Sequence, residues 1–141
     1  ALGIAAIAGR LLMGGASDRL GRRPALAISL ALQATAFVAL WAAAGLGALY
    51  AAALVFGFSY GAVSTLFPAM VADYFGREQA GSLSGLLFSM AGSMAAWGPL
   101  GAGWIYDRSG SYGLAWWLSA GFNALALALL AFAQPPRAVS K

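Results

Sequence analysis

Neither cysteine nor histidine occurs in this chain. Their absence removes disulfides, thiolate metal sites and imidazole acid–base chemistry. Charge is scarce too: 9% of the residues are charged, against about 25% in an ordinary soluble domain. The four acids, Asp18, Asp73, Glu78 and Asp107, are scattered rather than paired, which argues against paired-carboxylate catalysis. No enzyme activity, catalytic residue, cofactor or metal site is expected. The chain opens ALGIAAIAG, with no Met and no charged leader region. That start reads as the interior of a helix rather than a signal peptide, and the chain as a piece of a longer protein. The net charge of +4 does not indicate nucleic acid, because the cations fall mostly in short gaps between apolar runs, where they set membrane topology.

What the chain has is apolar length: 62% of its residues are hydrophobic. Apolar runs of about 20 residues indicate membrane spans. Five are expected, at 1–15, 24–44, 48–72, 79–105 and 112–133, with Pro24 at a helix start and Pro135-Pro136 as the final stop. Backbone polar groups in a bilayer must be satisfied within the span, so the fold class is an all-α polytopic membrane bundle. The gaps, SDRLGRRP, GLG, DYFGREQ and DRSGS, are short enough to join antiparallel neighbours. Arg19, Arg22, Arg23, Arg77, Arg137 and Lys141 fall on one side and Arg108 on the other, which puts the first gap, the third gap and the C-terminus in the cytoplasm. Gly57 and Gly61, and Gly81 and Gly85, are spaced four apart, a pattern that lets helix backbones approach closely. Pro68 and Pro99 fall inside spans and should kink them. Trp41, Trp116 and Trp117 lie near expected helix ends and read as interfacial anchors. Ser59, Ser64, Thr65, Ser89, Gln33 and Asn123 lie inside spans, where hydroxyl groups commonly bond back to their own helix.

The most distinctive stretch begins at Gly14 and reads G-x-x-x-D-R-x-G-R-R, with Asp18, Arg19, Gly21, Arg22 and Arg23 at its fixed positions. Gly14 and Asp18 lie one helical turn apart. Gly14 permits close approach of another helix, and Asp18 suits the positive N-terminal end of such a neighbour. A plain topology loop would explain the arginines but not the glycines or the acid. A second copy, G-x-x-x-D-R-x-G, supplies Gly103, Asp107, Arg108 and Gly110. It ends the fourth segment as the first copy ends the first, three spans away and on the opposite face.

This pattern resembles the loop signature of the major facilitator superfamily of transporters, in which the signature lies between helices 2 and 3 and again between helices 8 and 9. The resemblance implies an inverted three-helix repeat, with the present segments corresponding to the end of helix 8 and helices 9 to 12, a partial C-terminal bundle. It also implies a multi-pass protein of the bacterial inner membrane, and a missing N-terminal half as the partner of Asp18. Within the superfamily, LFPAMVADYFGRE, AGSMAAWGPLGAGWIYDRSGSY and the surroundings of Arg10 are similar to the monocarboxylate and oxalate/formate transporters. Those relatives carry a buried helix-8 arginine that binds the substrate carboxylate, and Arg10 stands at the matching position. Their helix 10 has an aromatic pair that helps to close the pocket, to which Phe56 and Tyr60 correspond.

Depth fits this role without proving it. Arg10 precedes Asp18 by eight residues, or about 12 Å of helix, against about 15 Å for half a hydrocarbon core. A charge there is costly unless it faces a cavity or a partner, and Arg suits a carboxylate; alternatively, its long side chain snorkels to the interface. Phe56 and Tyr60 are equally readable as packed-core aromatics. The chain also departs from those families. Some monocarboxylate relatives have a proton-coupling acid one turn before the arginine, where this chain has Ala6. The oxalate exchanger has a second cation on helix 11, and the apolar part of the fourth segment has none. A dicarboxylate held by two cations is therefore disfavoured. The expected activity is alternating-access transport of a small organic anion, a monocarboxylate, by proton symport or anion exchange. Two alternatives stay open: a carrier of a neutral or cationic sugar or drug, and a non-transporting sensor or scaffold on the same fold. Asp73, Arg77 and Glu78 are a candidate charge cluster against the first gap.

Overall fold

The computed structural model describes residues 2–133. The Pro135-Pro136 stop and the Arg137 and Lys141 tail lie outside them. Five helices make up the chain: α1 (Leu2–Leu20), α2 (Arg22–Ala42), α3 (Leu46–Phe75), α4 (Arg77–Ser109) and α5 (Gly113–Phe132). The architecture is all-α. By length and composition, α2, α3 and α5 are apolar enough to cross a membrane. α1 and α4 are long enough but less apolar, because Arg10 interrupts α1 and serines and glycines dilute α4. Pro68 and Pro99 lie inside α3 and α4, which continue through them.

The charged stretches are not loops, contrary to the sequence expectation. α1 runs on through Ser17-Asp18-Arg19-Leu20, and Gly21 alone separates it from α2. Gly76 alone separates α3 from α4. Each glycine ends one helix and begins the next. Gly21 N–H donates to the Ser17 carbonyl at 2.9 Å and its own carbonyl accepts from Ala25; Gly76 does the same between Ala72 and Ala80. Both have φ near +90° and ψ near 150° (91° and 152°; 84° and 155°), a region open essentially to glycine only. The sequence placed helix ends where apolarity stops; the backbone ends them where it can reverse.

α3 is the central element. α1 packs along one side of it and α2 along another; α5 packs on α2, and α4 meets α3 over a shorter stretch. The buried core joins Met13 of α1, Ala25 and Leu26 of α2, Ala62 and Leu66 of α3, and Leu130 of α5. It sits toward the end of the bundle that carries Gly21 and Gly76. No residue of α4 is buried among the described residues; Met94 and Trp97 are 75% and 72% exposed. Exposed apolar surface on this scale is incompatible with a monomer in water and ordinary for helices that face lipid or further helices.

The α1–α3 contact is backbone to backbone. A methyl group added at Gly61 would overlap the Ala6 carbonyl, and one added at Gly9 would overlap the Phe58 carbonyl. At Gly57 it would come within 2.8 Å of the Leu2 carbonyl oxygen. The Gly57/Gly61 spacing therefore has a partner, α1. Gly81 and Gly85, spaced identically, face open space.

Candidate functional site

Arg10 occupies the middle of α1 and is exposed. The other arginines of the described residues, 19, 22, 23, 77 and 108, lie at helix ends. Arg10 makes no hydrogen bond or ion pair among the described residues. Its register follows from its neighbours: Ala6 lies against Gly61, Gly9 against Phe58, and Met13 shares a cluster with Ala62 and Leu66. Arg10 is thus level with the turn of α3 that carries Tyr60.

Phe56 and Tyr60 stack at 6.1 Å between ring centroids, and Phe37 of α2 packs on Phe56 at 5.1 Å. The two aromatics differ in surroundings. Phe56 is half-buried between helices, as a core aromatic would be, whereas Tyr60 is 55% exposed. Tyr60 borders a groove of about 480 Å³ between α3 and α4, together with Ser64 and with Phe67 and Phe88. Phe67 and Phe88 meet edge to face at 6.4 Å. Of the other polar groups singled out in the spans, all but Gln33 bond within their own helices: Ser59 to the Phe56 carbonyl, Ser64 and Thr65 to that of Gly61, Ser89 to Gly85 and Asn123 to Ser119. A larger groove, about 610 Å³ between α2 and α5, is floored by alanines and Gly121. Its Thr35 hydroxyl is turned back on the Leu32 carbonyl, so it has little with which to orient a polar solute.

The first G-x-x-x-D-R-x-G-R-R motif forms a bridge between helix ends. Arg22 donates through Nε to Asp73 Oδ2 of α3 at 3.1 Å, through Nη1 to Ser17 Oγ at 2.8 Å, and lies 3.4 Å from Asp18. Arg23 donates to the carbonyls of Leu130 and Ala131, capping the last turn of α5, where a cation also suits the helix dipole. Arg77 and Glu78 form no ion pair among the described residues; of the expected cluster, only Asp73 reaches the motif. Arg19 stays exposed at the end of α1. A methyl group at Gly14 would meet nothing, and the Asp18 side chain is 69% exposed.

One relation was missed in the sequence. Arg10, Gly14 and Asp18 follow at intervals of four and lie on the same side of α1. That side carries exposed Ile7 and Leu11 and faces away from α3. The candidate ligand and the candidate latch therefore share one unpartnered surface. The i, i+4, i+8 spacing was there to be read.

The second motif copy is built differently. Gly110 closes α4 in a left-handed cap, φ 67° and ψ 10°, with its N–H on the Tyr106 carbonyl at 2.8 Å. Arg108 stacks over Trp104 at 4.2 Å, and Asp107 has no ion pair among the described residues. Gly103 faces open space. Tyr106 and Tyr112 stack at 4.6 Å, and Trp41 meets Trp117 at 5.3 Å, so this end of the bundle is aromatic where the other is ionic. The closer geometric match to Asp18-x-x-Gly21-Arg22 is Asp73-x-x-Gly76-Arg77, a spacing visible in the sequence.

A search of curated proteins finds no match to the chain. The sequence profile of the Major Facilitator Superfamily matches residues 1–141, and with that match over its whole length this helical membrane chain belongs to that family.

Proposed function

We propose that the chain forms one wall of a secondary transporter for a small organic anion, a monocarboxylate bound through Arg10. Family membership makes it part of a multi-pass membrane transporter rather than an enzyme; the solute, the site and the orientation are the inferred parts. The observation that carries the reading is Arg10 itself, a cation in mid-helix, exposed and without a partner, on the side of α1 turned away from the bundle. Such a charge in a membrane faces a cavity or a counter-charge, and a guanidinium pairs with a carboxylate by two parallel hydrogen bonds. Tyr60 stands at about the same level on α3 and is proposed as a further residue of the site.

The lower apolarity of α1 and α4 supports the same arrangement, since these helices would border the solute path while α2 and α5 face lipid. The ionic end would lie in the cytoplasm by the bias of its arginines. Asp18 and Gly14 would meet a helix of the other half of the transporter, closing the cytoplasmic side in one state and parting in the other. With Ala6 one turn before Arg10 and no cation in the middle of α4, the wall offers one positive charge, which suits a monoanion. Proton symport and anion exchange both fit that charge balance.

The test is uptake by the complete transporter in proteoliposomes, with lactate, formate, oxalate and a neutral sugar offered in turn. Saturable uptake of the monocarboxylates, with oxalate and sugar excluded, is expected. Sugar uptake without carboxylate uptake would leave the fold intact and replace the anion by a neutral solute.

A further inference from the structure

Arg22 and Arg23 are adjacent, yet only the first has its charge met by carboxylates among the described residues. Arg22 pairs with Asp73 and Asp18. Arg23 turns toward α5 and meets carbonyls instead, through Nε and Nη2. Its Nη1 has no partner among the described residues, and the side chain is half-buried. Neither α2 nor α5 contains an acid, so the seam between these two helices carries an uncompensated positive charge. Beside Arg23 that seam opens into a groove of about 300 Å³, walled by Pro24 and Ala27 on α2 and by Leu127, Leu130 and Ala131 on α5. Every wall residue but Arg23 is apolar, and Arg23, the second residue of α2, stands where the groove meets the helix ends. Further along the same seam the larger groove begins at Ala34. Arg23 to Ala34 is about 16 Å of helix, the depth of about one bilayer leaflet.

We infer that this seam holds a phospholipid with an anionic headgroup, its phosphate on Arg23 and an acyl chain in the groove. The inference rests on the lipid-facing placement of α2 and α5 given above, and not on Arg10 or the nature of the solute. Charge complementarity selects the occupant. A neighbouring apolar helix would fill the groove but leave the arginine without a counter-charge at the membrane edge. A soluble anion would meet the arginine and leave the groove empty. A zwitterionic lipid would bring a second positive charge beside the first. Basic pockets between spanning helices at the membrane edge are suited to acidic headgroups. Because α5 packs chiefly on α2, a lipid lying across both would hold α5 to the bundle.

The test uses the complete transporter, purified in detergent with equal amounts of phosphatidylglycerol and phosphatidylcholine of matched chains. Lipid retained after washing is counted by native mass spectrometry. Phosphatidylglycerol should be retained about fivefold over phosphatidylcholine, the effect of one arginine at an anionic surface. Arg23→Gln should abolish the preference. Ala131→Phe, at an exposed position of the groove wall, keeps the arginine and narrows the groove, and should also reduce the phosphatidylglycerol retained. Arg77→Gln, at a helix end away from this groove, should change nothing. Equal retention of the two lipids by the wild type would overturn the site. Equal losses in Arg23→Gln and Arg77→Gln would overturn it too, in favour of diffuse attraction to basic helix ends. A nitroxide on Gly121→Cys, in the same seam, reads the underlying placement. More collisions with dissolved oxygen than with a water-soluble nickel chelate are expected; the reverse would overturn the lipid-facing placement of α5, and the lipid site with it.

Discussion

Arg22 shows how one side chain can organise a junction. It reaches Ser17 and Asp18 on the helix before it and Asp73 fifty-one residues away. Ser17 is 2% exposed and donates its own hydroxyl to the Gly14 carbonyl at 2.6 Å, so the guanidinium meets a fixed acceptor. The Arg22 and Asp73 side chains remain 34% and 54% exposed, and exposed ion pairs contribute little, about 1 kcal/mol or less. A double-mutant cycle of Arg22→Gln and Asp73→Asn, read by unfolding in detergent, should give a coupling energy within about 1 kcal/mol; a coupling of several kcal/mol would mean that the pair is desolvated. The sequence pointed to Asp73 as a partner of the first motif. It could not say which arginine would meet it, because that depends on the single-residue turn at Gly21, which swings Arg22 toward α3 and Arg23 toward α5.

At the scale of elements, the glycines divide by what they do. Gly21 and Gly76 make one-residue reversals in a conformation closed to side chains, whereas Gly110 is a left-handed helix cap of the sort asparagine tolerates. Gly21→Asn should therefore destabilise the protein by about 1–3 kcal/mol, and Gly110→Asn by about 1 kcal/mol or less. Thermal unfolding of the two variants side by side checks this; equal losses would contradict the different roles assigned to the two motif copies. The sequence showed both as D-R-x-G and set them apart only by the Arg22-Arg23 pair that follows the first; nothing in the letters gave the two glycines different backbone conformations. Spacing was similarly ambiguous for helix contacts. Gly57/Gly61 and Gly81/Gly85 are alike in sequence, but only the first pair meets another backbone, that of α1. Helix number and class were legible because apolar runs and backbone satisfaction dictate them. Helix ends were not, because charged residues continue a helix past its apolar core, as Ser17 to Leu20 do.

For the whole molecule, the division of polarity between helices matters most. α2, α3 and α5 are apolar enough to span, while α1 and α4 carry the polar or small residues and the open faces. The proposed orientation follows from the arginines at one end and the aromatic stacks at the other. The chain has no native cysteine, so single replacements are clean reporters. In intact cells, on a cysteine-free background, Ser111→Cys should react with an impermeant maleimide, and Leu20→Cys only after permeabilisation; the reverse pattern would invert the topology. The central claim is that the unpartnered surface of α1 delivers a substrate ligand, Arg10, beside a conformational latch, Gly14 and Asp18. Arg10 was legible as a cation inside a span and its four-residue spacing from Gly14 and Asp18 was there to be read, whereas its level against Tyr60 emerged only from the α1–α3 register. The most direct test is carboxylate uptake by the complete transporter with Arg10, Arg10→Lys and Arg10→Ala. The account predicts saturable uptake in the first, a loss of about tenfold or more with lysine, which keeps the charge without the bidentate fork, and none above background with alanine. Carboxylate uptake unchanged in Arg10→Ala would contradict it.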